Sequence, residues 1–204
     1  MSTDFPDLLI VMALPLESQD EFSAEGVHVL YTGVGKVNAA IALTRRLAEY
    51  RCAGKSLPRV VNFGTAGSRA FPKSSLVECN VFVQRDMDAT LLGFPAGSTP
   101  FENIPAQLRF DRHLEHLPCG TCGTGDSFTA SPPGISCEVV DMEAYALAKV
   151  CWVERLQFIC VKFVTDGADS GAHDEWAQNA HRAAGEFLKL YKLLTRDSTH
   201  EAQS

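Results

Sequence analysis

The chain concentrates residues capable of acid–base chemistry between Val139 and Asp169. Asp141 and Glu143 stand at the start of Val-Val-Asp141-Met142-Glu143-Ala144-Tyr145-Ala146-Leu147-Ala148, and Asp166 closes the run Phe158-Ile-Cys-Val-Lys162-Phe163-Val164-Thr165. Two carboxylates brought to one edge of a sheet suit general acid–base work on a small neutral molecule, provided burial raises the pKa of one of them. Glu17 has the same placing. It follows the apolar run Leu8–Leu14 and Pro15-Leu16, a few residues past a strand's end. Each acid also fits a structural role: Glu143 as a first-turn residue favoured by a helix dipole, Asp166 as a loop cap, and Glu17 as part of a solvated acidic stretch to Glu25.

The elements that must position these groups follow from periodicity. Leu8–Leu14 and Phe158–Val164 are continuous apolar runs, the pattern of strands buried on both faces, and the second predicts Asp166 just beyond a strand's carboxyl end. Val27–Tyr31, Arg59–Phe63 and Leu76–Gln84 read as further strands, and the small, apolar segment Val139–Ala148 as a helix packed on the sheet, with Asp141 and Glu143 near its N-terminus. Glycine turns follow several strands. Thr32-Gly33-Val34-Gly35-Lys36 opens a helix to about Tyr50 and offers N–H groups to an anion, but it has neither the P-loop nor the dinucleotide spacing. Gly64-Thr65-Ala66-Gly67-Ser68 would let a flat ligand approach the backbone, with the Thr65 hydroxyl as a polar contact, or is a simple tight turn. Gly123-Thr-Gly-Asp-Ser-Phe128 reads as another glycine turn, carrying an aromatic that could stack on a heterocycle or plug the core. An amphipathic helix is expected from about Glu175 to Leu194, and a disordered tail over 196–204. Strand, glycine turn, helix and strand recur without a repeat or linker. The reading is therefore one α/β domain over 1–204, with a central mixed, largely parallel sheet flanked by helices and ligands at its carboxyl edge.

Composition narrows the function classes. In 204 residues, 46% are hydrophobic and 21% charged, with a formal net charge of −7 and no basic cluster, so neither nucleic acid nor an anionic membrane is an expected partner. The acidic N-terminus lacks a signal peptide's basic region and no apolar run reaches membrane-spanning length, which makes the expected location cytoplasmic. Seven cysteines, an odd count in apolar contexts, suit reduced thiols. Cys119-Gly-Thr-Cys122 has no second pair or well-spaced histidines, since His113 and His116 lie in polar loop. No metal or cofactor is expected.

Taken together, Ala13-Leu-Pro-Leu-Glu17, Thr32-Gly-Val-Gly-Lys-Val-Asn-Ala-Ala40, Asn62-Phe-Gly-Thr-Ala-Gly67, Asp86-Met-Asp-Ala-Thr90 with Gly93-Phe94, Gly125-Asp-Ser-Phe128, Val140-Asp-Met-Glu-Ala144 and Val164-Thr-Asp166 resemble, in order, the nucleoside phosphorylase and nucleosidase superfamily. The likeness is greatest to its branch acting on 5′-methylthioadenosine and S-adenosylhomocysteine. It implies a purine nucleosidase that hydrolyses the N-glycosidic bond of a 5′-substituted adenosine and releases adenine. Asp166 would protonate N7 of the leaving purine and Glu17 would position or activate the water. Glu143 would hold the ribose hydroxyls with Met142 beneath the sugar, Phe128 would stack on the base, and Thr65 would stand near the sugar and water. Relatives of this kind are commonly dimers that complete the pocket with a neighbour's loop, so a homodimer is expected.

Phosphorolysis is the alternative, and arginines separate the two. The hexameric phosphorylases grip phosphate with an arginine where this chain has Asn62 and another near Ser18-Gln19-Asp20. Without these bidentate, charge-assisted donors water is the expected nucleophile. The chain also departs from the nucleosidase pattern. The segment from Glu17 to Val27 and the loop before Gly123 are short, and Lys162 replaces the usual arginine, so nucleosides with another 5′ group remain open as substrates.

Overall fold

The computed structural model describes residues 6–127, 134–167, 179 and 182–201. Its elements are, in chain order, β1 (Leu8–Met12), α1 (Pro15–Ser18), α2 (Glu21–Ala24), β2 (Val29–Tyr31), α3 (Lys36–Cys52), β3 (Arg59–Ser68), β4 (Leu76–Gln84), β5 (Gln107–Arg109), β6 (Cys119–Thr124), β7 (Val139–Asp141), α4 (Ala144–Glu154), β8 (Phe158–Asp166) and α5 (Ala183–Glu201). A short 3₁₀ turn, Thr90–Leu92, follows β4.

The sheet is mixed. The pairs β1–β2, β1–β3, β3–β8, β4–β6 and β6–β7 are parallel, while β3–β7, β4–β5 and β4–β8 are antiparallel. It is not the open sheet that the apolar runs suggest. β3 pairs with β7, β7 with β6, β6 with β4, β4 with β8, and β8 again with β3, so these strands close on themselves as a barrel. The long β3 makes this possible. Its first half lies between β1 and β8, and its last residues, Gly67 and Ser68, turn to β7. Strand twist, increased by register shifts at Ala66/Gly67 and at Cys79/Val81, rolls the sheet until β8 meets β4. A run of apolar residues records burial on both faces but not whether the far edge is free.

Several predicted boundaries move for a related reason. Gly64–Ser68 belongs to β3 and is not a turn, Gly123 lies within β6, and Val139–Asp141 is a strand, with the helix starting only at Ala144. The glycines serve close approach between chains: a Cβ on Gly123 would lie 2.4 Å from Cys137 Sγ, and one on Gly64 would lie 3.0 Å from Lys162 Nζ. Asp166 is the last residue of β8 and not the first of the following loop.

Helices cover both sides. Alternate β1 residues divide between two cores, Leu9 and Val11 facing α3 and α4, and Leu8, Ile10 and Met12 facing α5. On α3 the buried Ala39, Leu43, Leu47 and Tyr50 form one helical stripe. On the other side Phe187 of α5 stacks on Phe63 of β3, centroids 5.0 Å apart, with Phe22 of α2 beside them. α5 runs from Ala183 to Glu201.

Candidate active site

The carboxyl ends of β1, β3, β7 and β8 surround a cavity of about 210 Å³. Glu17, Thr65, Met142, Glu143 and Asp166 all line it, together with Asp141, Arg85 and Ser127. Phe128 lies outside the described residues.

Glu17 is held from two directions. Pro15 fits the first turn of α1, where its missing N–H costs nothing, and the third helical residue then reaches back over the turn. Glu17 Oε2 accepts the N–H groups of Ala13 (3.0 Å) and Leu14 (3.1 Å). Its Oε1 accepts the Thr65 N–H (2.7 Å) and the Thr65 hydroxyl (2.9 Å) from β3. Thr65 thus serves the acid directly as well as bordering the cavity.

Asp166 ends the strand next to Thr65. It is buried, and Oδ2 accepts a hydrogen bond from the Thr165 hydroxyl at 2.8 Å. Asn179 donates to the Thr165 carbonyl at 3.1 Å.

Glu143 occupies the N-cap position of α4. The glycine turn after β2 does offer an N–H to an anion, and the anion is this side chain: Gly35 N–H donates to Glu143 Oε1 at 2.9 Å. The next N–H, of Lys36, meets Asp126 Oδ1 at 2.8 Å. Gly35 has φ +96, a conformation that a side chain would strain. Burial raises the Glu143 pKa, and the neighbouring Asp141 raises it further. Lys162 and the Gly35 N–H oppose them, and the balance leaves Glu143 at about 8.

Behind these residues lies an ion pair given no role by the sequence reading. Lys162, in the middle of β8 and 1% exposed, places Nζ 2.8 Å from Asp141 Oδ2. Burial pulls the lysine pKa down, but Asp141 overrides it and the net shift is well upward; burial pushes Asp141 up, but Lys162 overrides it and holds the carboxyl below its usual range. A clue was present in the sequence. A lysine between Val161 and Phe163 in an apolar strand demands a buried counter-ion.

Arg85 also borders the cavity. Its guanidinium donates to Ser127 Oγ (3.1 Å), the Gly125 carbonyl (3.1 Å) and the Ser127 carbonyl. Asn62, in the place where phosphorylases carry an arginine, is buried, and its amide donates to the Val11 carbonyl at 3.0 Å. Cys119 and Cys122 are three apart on β6 and point to different partners, Asn80 and Asp141 respectively, so they do not form one ligand pair.

The sequence profile of the phosphorylase superfamily matches residues 20–196. A 5′-methylthioadenosine/S-adenosylhomocysteine nucleosidase from Marinomonas is 30% identical over 169 residues, 71% of this chain and 70% of the relative. The Bacillus subtilis protein of that description is 28% identical over 201 residues, 86% of this chain and 84% of its own. Two solved Helicobacter pylori structures share the fold. The 5′-methylthioadenosine/S-adenosylhomocysteine nucleosidase with butyl-thio-DADMe-Immucillin-A has a TM-score of 0.81 at 19% identity, covering 93% of this chain and 97% of that one. Futalosine hydrolase has a TM-score of 0.81 at 19% identity and the same coverage.

Proposed function

The chain belongs to the phosphorylase superfamily, and from that premise we propose that it is a nucleosidase. It hydrolyses the N-glycosidic bond of 5′-methylthioadenosine, S-adenosylhomocysteine or a closely related 5′-substituted purine nucleoside. One observation carries this reading: Glu17 and Asp166, acids at the ends of different strands, border a single cavity together with Glu143 and Met142.

Cleavage needs a protonated leaving base, negative charge near an oxocarbenium-like sugar, and a water at C1′. Asp166 delivers a proton to N7, and the C1′–N9 electron pair leaves with the purine. Glu17 orients the water and receives its proton as oxygen bonds to C1′. Glu143 accepts from the ribose hydroxyls, with Met142 beneath the sugar and Phe128 against the base. Thr65 keeps Glu17 in place. Adenine and a free 5-substituted ribose are the products.

Water rather than phosphate is the nucleophile, because Asn62 supplies no guanidinium where the phosphorylases carry one, its buried amide donating instead to the Val11 carbonyl. The likeness to futalosine hydrolase supports a second reading, a nucleosidase for a different 5′-modified purine nucleoside. A panel of 5′-substituted purine nucleosides, incubated without phosphate, tests both. Adenine release with a reducing sugar supports hydrolysis; dependence on phosphate, with a sugar 1-phosphate formed, rejects it.

The working form is a homodimer. Val34 lines the cavity yet is exposed, and it continues into exposed Val37 and Ile41 on α3, while Leu91 and Leu92 project from the 3₁₀ turn. A second copy seated there would cover the cavity mouth. Light scattering on the purified protein checks this. Free thiols throughout the described chain suit a reducing cytosol.

A further inference from the structure

Asp141 collects hydrogen bonds from three directions. Its Oδ2 receives Lys162 Nζ (2.8 Å) from β8 and the N–H groups of Ala144 (2.8 Å) and Glu143 (3.3 Å) at the start of α4. Its Oδ1 receives the Thr124 hydroxyl (2.5 Å) and the Cys122 thiol (3.4 Å) from β6. Thr124 in turn accepts the Tyr145 N–H at 2.8 Å. Two of these donors are the N–H groups of Glu143 itself and of Ala144 at the start of α4, so the carboxylate holds the backbone from which Glu143 projects. Lys162 Nζ, on the other side of the pair, lies against Gly64, and Glu17 Oε1 approaches the same point: a Cβ there would meet the two atoms at 3.0 and 3.5 Å.

We propose that the buried Lys162–Asp141 pair is a positioning element for the reaction, with Asp141 acting through Glu143 and Lys162 holding Asp141 in place beside the Gly64–Thr65 step of β3. The proposal rests on the nucleosidase reading for its kinetic arm. Neither residue touches the sugar in this scheme. Asp141 fixes the backbone from which Glu143 projects and sets the charge that Glu143 feels, and Lys162 keeps Asp141 ionised. A neutral residue at 141 would leave α4 without its acceptor and Glu143 without its nearest negative neighbour.

A double-mutant cycle separates this from a merely structural part. With 5′-methylthioadenosine as substrate above about pH 9, where Glu143 is ionised in parent and variant alike, Asp141→Asn should raise KM about tenfold while kcat changes less than about threefold, and in an E143Q background the same substitution should add almost nothing to KM. An equal rise in KM in both backgrounds, or no rise in either, overturns the proposal. If D141N does not fold, Thr124→Val removes one donor at constant volume and replaces it in the cycle, with about a threefold rise expected in the parent and none in E143Q.

A second arm needs no substrate. In protein carrying ¹³C-labelled glutamate, the Glu143 carboxyl signal, identified by its loss in E143Q, should titrate near pH 8 in the parent. The groups facing Glu143 are Asp141 from β7, Lys162 from β8, Glu17 from α1 and the Gly35 N–H before α3, with Asp166 and Arg85 bordering the same cavity. Removing the Asp141 charge favours ionisation, so the midpoint should fall by about one pH unit in D141N. An unmoved midpoint overturns the proposal even if the parent cleaves no nucleoside, whereas a moved midpoint without turnover rejects the nucleosidase reading alone.

Discussion

Glu17 and Glu143 are both buried carboxylates on one cavity, and they are built in opposite ways. Glu17, on the β1–β3 side, accepts from Ala13, Leu14 and twice from Thr65. Glu143, on the β7–α4 side, accepts one described hydrogen bond, from Gly35, and sits beside another carboxylate. The first region spends its polar groups on fixing an acid. The second leaves lone pairs for a ligand, at the cost of a carboxyl that ionises reluctantly. The difference suits a fixed partner for water on one side and a sugar clamp that is completed only by substrate on the other.

The largest expected effects would break that comparison at its fixed side. Glu17→Gln puts an amide N–H₂ among N–H donors and removes the proton acceptor, so kcat on a cleavable nucleoside should fall about 10²–10⁴-fold with KM little changed. Asp166→Asn keeps the shape but cannot deliver a proton, and single-turnover rates should fall by about the same factor. Near-normal turnover in either variant would mean that the acid–base roles lie elsewhere.

Next in size is the pair behind both acids. Lys162→Met strands a buried carboxylate and should destabilise the fold by about 3–5 kcal/mol in urea unfolding. A loss below about 1 kcal/mol would show that Asp141 finds another partner or takes up a proton without penalty. On the open side, Glu143→Gln should raise KM about tenfold with a smaller fall in kcat, because a buried ribose hydroxyl loses a charged acceptor. Equal effects of E17Q and E143Q on KM would erase the contrast.

The smallest effect is in pH. A carboxyl whose folded pKa is raised contributes stability that is complete below the ordinary glutamate range and is lost as pH rises through the folded value, here about 8. Thermal stability of the free protein should therefore decline across that window while KM improves, since only ionised Glu143 accepts from both sugar hydroxyls. E143Q should flatten both trends.

Glu17 and Asp166 are legible in the sequence because each closely follows an apolar run that reads as a buried strand, whereas Glu143 reads only as a residue near a helix start and takes its role from the family resemblance. The same local logic offers the Thr65 hydroxyl as a polar contact for a ligand, whereas Met142 enters only through the family resemblance. What one strand's pattern cannot encode is its partner. β3 and β8 read alike whether the sheet is open or rolled, and their meeting with β7 and β4 depends on twist accumulated over several strands. That closure buries Lys162 against Asp141 and turns the Gly35 N–H onto Glu143, while the β1–β3 pairing gives Thr65 to Glu17. Sequence alone determined which residues could carry charge at strand ends, since periodicity and residue chemistry are local. Tertiary structure decided which charges face one another, because pairing energies in a buried site depend on distances between residues far apart in the chain.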